Sequence, residues 1–348
     1  MIGEKNEIIK SIKPFNYGLG ILKSLLAFSV VTVHNFNPRT TRNKLILIIT
    51  KNRKLHVPSF FIMSFYFLSS KLFALNISLL IKRLSRLFIP YILWPIIVWE
   101  INHILNVKYH TNFPDAYNIL KLQLLWGSKY MFQFWFQWNI IAITLLFALI
   151  ISVFGNNSIF FLLLLFILSY IAQYSGFYLK YIYLKYPNYN RCTISRIFEM
   201  IPFGVTGLLF GYYKIINNFK KRKIKVLIIA LVAYFSIQNY NIFTNINGVT
   251  YYGINLNIMS VCIICIFSLF PSDKIKNKYL IKILILLTNN SSGVYYLHLT
   301  IHNYFRFFID AIKKSTFFGV IINYLICYFI CYFGLLVFGK TPFKYLFC

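Results

Sequence analysis

Apolar runs long enough to cross a lipid bilayer recur along the whole chain. Residues 18–36 read GLGILKSLLAFSVVTVHNF, and ~17–25 such residues span the hydrocarbon core as a helix. The chain is 59% hydrophobic and 12% charged, whereas soluble proteins carry about 25% charged residues. We therefore predict an all-α, polytopic integral membrane protein that forms one membrane-embedded domain over residues 1–348. Ten transmembrane helices are expected, roughly at 18–36, 57–72, 88–106, 134–153, 158–173, 197–213, 226–243, 254–270, 290–309 and 316–338.

The segments between these spans carry most of the positive charge. The chain has 36 Lys and Arg against 7 Asp and Glu, a formal net charge of +29. On a soluble protein this balance would suggest nucleic acid. Here the charges lie mainly in connecting segments, among them an amphipathic connector over 73–86 that ends in KRLSR. We expect membrane lipids, and not nucleic acid, as partners.

Orientation follows from the distribution of Lys and Arg across the connecting segments. With both termini cytoplasmic, 20 basic residues face inward and 16 face outward. This excess favours cytoplasmic N- and C-termini, in a bacterial inner (plasma) membrane. The basic segment 214–225 supports that orientation, whereas 37–56 opposes it. The first apolar stretch carries Lys23 and His34 and lacks a cleavage site, so we interpret it as a permanent span.

Lys23 and His34 share one face of the first helix. They lie eleven residues apart, close to three helical turns and about 16 Å along the axis. A cation at one membrane surface is thereby aligned with an imidazole near the middle of the bilayer, which is roughly 30 Å thick. Ionisable groups at that depth are costly and indicate a functional site.

A second basic pair precedes the third span. Arg83 and Arg86 are three residues apart and lie at the same membrane face as Lys23 in this topology. Guanidinium groups bind phosphate oxygens through paired hydrogen bonds. A phosphate site at the surface and a base deeper in the membrane suit an extended carrier such as coenzyme A.

Motifs in this order resemble the membrane-bound acyltransferase-3 family, which includes the O-acetyltransferases of polysaccharide and lipopolysaccharide. The family also includes the membrane acyltransferase of the poly-N-acetylglucosamine adhesin system. Its first helix carries a basic residue, ten intervening residues and a His, matched by Lys23 and His34. Its second span resembles 58–65 (PSFFIMSF), and its R-x-x-R before a Pro-containing span resembles Arg83, Arg86 and Pro90. Weaker matches are Trp135-Phe136, the group Ser292, Tyr296, Leu297 and His298, and Thr341-Pro342-Phe343.

The resemblance implies transfer of an acyl group, usually acetyl from acetyl-CoA, to a sugar hydroxyl. A hydroxyl is a poor nucleophile until its proton is removed, and His accepts protons near neutral pH. We assign His34 as general base, and Lys23, Arg83 and Arg86 as the CoA-phosphate site. The acceptor is expected to be a cell-surface glycan or its lipid-linked precursor.

Further residues have less defined roles. Ser64, Asn139 and Tyr296 are alternatives for stabilising the thioester oxyanion. Glu100 and Glu199 either orient His34 or pair with a nearby cation, and His298 lines the acceptor site. The C-x-x-C of Cys262 and Cys265 lies in an apolar helix without a second pair, so no metal site is expected.

Two other functions fit a chain of this class. A polysaccharide or lipid-linked glycan exporter would have many spans and excess positive charge too, although it would be favoured by broken spans at corresponding positions in two halves. A glycan polymerase would need a large extracytoplasmic loop. The basic cluster with a deep His favours the acyltransferase.

Overall fold

The computed structural model describes residues 16–35, 55–104, 132–175, 193–243, 253–270, 275, 277–305, 309–313 and 316–347. Within these ranges every regular element is helical, so the all-α prediction is confirmed there. Short 3₁₀ turns cover Phe132–Phe134, Gly155–Asn157 and Pro342–Leu346. The helices, in chain order, are α1 (Tyr17–Asn35), α2 (His56–Phe73), α3 (Ile77–Ile104), α4 (Trp135–Phe154), α5 (Ser158–Ser175), α6 (Thr193–Tyr212), α7 (Ile215–Lys221), α8 (Lys223–Phe243), α9 (Ile254–Ser268), α10 (Lys278–Phe305), α11 (Asp310–Lys313) and α12 (Phe317–Phe338).

Each of the ten expected spans coincides with one long helix. By length and hydropathy, four stretches of the described residues can cross a membrane: Tyr17–Asn35, Ile77–Ile101, Trp135–Tyr174 and Phe317–Phe338. The third of these stretches is 40 residues long and comprises two helices, α4 and α5. They are separate helices because Gly155, with φ 49°, ends α4. The protein is thus an α-helical membrane protein, and the count of ten crossings stays a prediction.

Two helices begin earlier than the sequence indicated. The expected connector over 73–86 is wrong, because α3 already starts at Ile77 and runs through the basic pair. Leu80, Leu84 and Leu87, spaced at helical intervals, pack against the core and hold this turn in the bundle. Similarly, α10 starts at Lys278, where the Asn277 side chain accepts hydrogen bonds from the first backbone amides and caps the helix.

Helices α2 and α6 form a close pair built on glycine. Gly207 and Gly211 lie four residues apart on α6 and contact the backbone of Ile62 and Tyr66. The Ser69 hydroxyl adds a hydrogen bond of 2.7 Å to the Leu208 carbonyl. Small residues at this spacing let two membrane helices approach closely. The pairing also makes α2 and α6 parallel, because later residues of one meet later residues of the other.

Helices α1 and α10 pack along each other and bring together the residues singled out by the sequence. Residues 23 and 34 of α1 meet residues 288 and 298 of α10, so this pair is parallel as well. The C-terminal 3₁₀ turn, Pro342–Leu346, lies between α3, α10 and α12, where Trp94 donates to the Leu346 carbonyl at 3.1 Å. Most of the basic segment 37–56 lies outside the described residues, as do 107–131 and most of 176–196, 244–253 and 271–277.

Candidate active site

His34 meets a second histidine on α10. The rings of His34 and His298 lie 5.2 Å apart between centroids and are tilted by 41°. His298 is completely buried, and its Nδ1 lies 2.7 Å from the carbonyl oxygen of Tyr295. His34 is half-buried at the end of α1. The expected base therefore has a buried imidazole as its direct neighbour.

Two more histidines surround this pair. His302, one turn further along α10, lies within electrostatic reach of His34. His56, at the start of α2 and buried, lies within reach of His298. The region thus contains four imidazoles from three helices. Among the described residues, no group of three or more His, Cys, Asp or Glu side chains has an arrangement that could hold a metal ion.

Arg83 reaches into the bundle between α2 and α10. Its guanidinium Nη2 donates a 2.6 Å hydrogen bond to the hydroxyl of Ser64, and the group lies 5.9 Å from the ring of Phe65. Tyr296 is within its electrostatic reach. Ser64 is eight residues from His56 on α2, about 12 Å along the axis. Arg83 is therefore bonded to α2 at a point distant from His56, towards the end of the bundle where Lys23 lies.

Tyr296 faces a different set of residues from His298. Its ring stacks on Phe134 at 5.7 Å, and its hydroxyl lies 3.5 Å from Nε2 of Gln137. Gln137 also donates to the carbonyl of Leu87, which ties α4 to α3. The third alternative for the oxyanion, Asn139, is buried, and its amide nitrogen donates to the Trp135 carbonyl in its own helix at 2.7 Å.

Arg86 has other surroundings than Arg83, although the two are three residues apart. It is exposed, and its guanidinium lies 5.5 Å from the ring centroid of Tyr345 in the C-terminal turn. The ammonium of Lys344 lies 5.4 Å from the same ring. Two cations from distant parts of the sequence thus share one aromatic ring. Lys344 and Tyr345 gave no signal at the sequence level, because nothing in the pattern places the C-terminus beside α3.

Lys23 occupies the opposite end of α1 from His34. Its Nζ donates to the carbonyl oxygen of Thr288 at 3.3 Å. The expected site therefore has two separate parts. One is the histidine region, and the other is a group of cations at the Lys23 end, on α1, α3 and the C-terminal turn.

The two carboxylates lie on different helices. Glu199 is buried on α6, one turn after the buried Arg196, whose guanidinium stands 4.0 Å from the ring of Trp135. Since α6 packs chiefly on α2, α4 and α5, this arrangement favours pairing with a cation over orienting His34. Glu100 is exposed on α3, and no hydrogen bond or ion pair between it and His34 occurs in the described part of the chain. Cys262 and Cys265 pack against Ala230 of α8 as small apolar residues.

Comparison with known proteins identifies a family. The model of the Acyl_transf_3 family, described as an acyltransferase domain, matches residues 16–342. The match includes every helix from α1 to α12. Comparisons with curated proteins and with solved structures gave no match.

Proposed function

Because the chain belongs to the acyltransferase-3 family and is a membrane acyltransferase, we propose that its acyl donor is acyl-CoA, most simply acetyl-CoA. The acceptor in this proposal is a hydroxyl of a cell-surface glycan or of its lipid-linked precursor. The observation that carries the proposal is the position of His34, which contacts a buried imidazole and shares its helix with Lys23.

His34 is the general base in this proposal. It removes the proton of the acceptor hydroxyl while the oxygen attacks the thioester carbonyl. A carbon–oxygen bond forms, the carbon–sulfur bond breaks, and the proton passes from His34 to the sulfur of CoA. No covalent acyl-enzyme is required, in agreement with the absence of a G-x-S-x-G sequence from the chain.

The cations on the Lys23 side form the proposed CoA-phosphate site. Lys23 is a half-buried basic side chain and Arg86 an exposed one, and Lys344 adds a cation beside Arg86. Arg83 lies deeper, bonded to Ser64. The pantetheine arm would then extend past Arg83 towards His34, about 16 Å from Lys23 along α1.

Ser64 and Tyr296 are the better supported partners of the thioester oxyanion. The Ser64 hydroxyl accepts from Arg83, which leaves its own proton to donate and makes the hydroxyl a stronger hydrogen-bond donor. Tyr296 has the amide of Gln137 beside its oxygen. Asn139 is a weaker choice, because its amide already donates within α4.

The test is acetyl-CoA-dependent labelling of glycan. Membrane vesicles that contain the protein are incubated with radiolabelled acetyl-CoA and the glycan fraction of the producing cells. Label should enter the glycan with wild-type protein and be released by mild alkali, as expected for an ester. Glycan that crosses the membrane unlabelled would instead favour the exporter.

A further inference from the structure

We propose that His298 is a positioning residue, which orients the ring of His34 by accepting a hydrogen bond at Nε2. The inference rests on the proposed role of His34 as general base. It assigns to His298 a task beyond lining the acceptor site, and the observations that carry it are the hydrogen bonds and burial of His298 itself.

The hydrogen bond at Nδ1 determines the tautomer of His298. Nδ1 lies 2.7 Å from the Tyr295 carbonyl oxygen, and a carbonyl can only accept. Nδ1 therefore carries the proton, an assignment that follows from the hydrogen-bond network. In the neutral ring the lone pair is then on Nε2. Tyr295 is itself fixed, since its hydroxyl donates to the Gln133 carbonyl at 2.7 Å.

Nε2 of His298 is buried and, among the described residues, has no hydrogen-bond partner. A buried acceptor without a partner is costly, so a group that can donate to it is expected nearby. A suitable ring is that of His34, whose centroid lies 5.2 Å from that of His298. Imidazole nitrogens lie about 1.1 Å from the ring centroid, so this spacing allows an N–H···N hydrogen bond of about 3 Å after a rotation of the His34 ring.

The backbone of His298 is held from a third helix. Nδ2 of Asn323, on α12, donates to the His298 carbonyl at 3.1 Å, and Asn323 is completely buried. Contacts within α10 and from α12 therefore hold His298 in place. A fixed acceptor of this kind can select one orientation and one tautomer of a neighbouring base.

In catalysis, the neutral His298 would play the part that a carboxylate plays in other enzymes, where it orients a catalytic histidine. His34 directs its N–H to His298 and its lone pair to the acceptor hydroxyl. When His34 takes the hydroxyl proton it becomes an imidazolium, and its hydrogen bond to Nε2 becomes charge-assisted and stronger. The proton then leaves to the CoA sulfur, and His298 keeps the same protonation throughout.

The test compares two substitutions of His298 in purified, lipid-reconstituted protein. His298→Phe fills a similar volume without an acceptor, whereas His298→Gln keeps an acceptor oxygen. With radiolabelled acetyl-CoA and the glycan fraction of the producing cells, His298→Phe should lower kcat by roughly 10- to 100-fold. The KM values for acetyl-CoA and for the glycan should change less than about threefold, and His298→Gln should regain part of the lost kcat.

A double variant separates this role from general damage. In a His34→Ala background, His298→Phe should add little further loss, because a positioning residue has nothing left to position. An unchanged kcat in His298→Phe, or an equal loss in both backgrounds, would overturn the inference. So would a rise confined to the glycan KM, which would indicate an acceptor contact. Failure of the proposed role of His34 as general base would be recognised separately, because the His34→Ala single variant would then keep wild-type rates.

Discussion

Lys23 donates a hydrogen bond of 3.3 Å to the carbonyl oxygen of Thr288, ten residues before the histidine that contacts His34. Helix α1 is therefore in register with α10 at both ends of the Lys23–His34 interval. The spacing of Lys23 and His34 on α1 is matched on α10 by the spacing of Thr288 and His298, the residues that they contact. In the proposed mechanism, this pairing sets how far a CoA molecule bound at Lys23 would have to extend to reach the base.

His34→Ala should abolish acyl transfer and leave membrane insertion intact. Loss of a general base costs on the order of 10²–10⁴ in rate. The measurement is label transferred from acetyl-CoA to glycan, normalised to the amount of protein in the membrane. Ser29→Ala, in the same helix, is the matched control and should keep wild-type activity. Near-normal transfer in the His34 variant would remove this residue from the mechanism.

Arg86→Ala and Lys344→Ala should both raise the KM for acetyl-CoA. Hydrogen bonds to charged groups contribute about 1.5–3 kcal/mol, which corresponds to roughly tenfold or more in affinity. Lys340→Ala provides the control, because Lys340 is an exposed lysine four residues before Lys344 in the same terminal segment.

The effect should depend on the phosphates of the donor. With acetyl-3′-dephospho-CoA, wild type and the Arg86 and Lys344 variants should differ less than they do with acetyl-CoA. If KM is unchanged in both variants, these cations only anchor the C-terminal turn on α3.

Substitutions of Arg83 and Ser64 should differ in the kinetic parameter that they affect most, KM for Arg83 and kcat for Ser64. Arg83→Ala should chiefly raise the acetyl-CoA KM, since a half-buried guanidinium beside the proposed donor path is lost, and should lower kcat less than Ser64→Ala, because it weakens the Ser64 hydroxyl as a donor without removing it. Ser64→Ala should instead lower kcat by about 10²–10³ if its hydroxyl stabilises the oxyanion. Tyr296→Phe is the direct alternative, and the variant with the larger kcat effect identifies the hydrogen-bond donor. Equal changes in KM and none in kcat would exclude both hydroxyls.

The apolar runs of the sequence predicted where the long helices of the described residues lie, because such runs stand out by length and composition; the count of ten crossings stays a prediction. The structure adds their relative directions, since α1 and α10 are parallel, as are α2 and α6. The starts of α3 and α10 were missed, since an amphipathic first turn resembles a surface connector. The neighbours of each site residue were not predictable either. Nothing in the local pattern shows that His298 faces His34 whereas Tyr296, two residues earlier, faces Gln137.

Gly207→Ala should destabilise the α2–α6 pair. An added Cβ would approach the backbone carbonyl carbon of Ile62 to 3.0 Å, and the backbone cannot move aside easily. Overpacking of this kind costs on the order of 1–3 kcal/mol. Gly204→Ala is the matched comparison, because the atoms nearest to its Cβ would be side-chain atoms of Phe147 and Ile143. Thermal unfolding in detergent should show the larger loss for Gly207→Ala, and equal losses would contradict close backbone contact as the cause.

In the proposed mechanism, the orientation of the chain determines from which side of the membrane CoA binds. Lys23 and Arg86 lie towards one side of the bundle, and CoA is made in the cytoplasm, so this side should be cytoplasmic. A single cysteine is introduced at Asn217, which is exposed on α7, or at Asn247, in a background without the six native cysteines. An impermeant thiol reagent added to intact cells should label position 247 and spare 217 until the membrane is permeabilised. The reverse pattern would place the cations outside, and the acyl donor would then have to be something other than cytoplasmic acyl-CoA, even though the chain remains an acyltransferase.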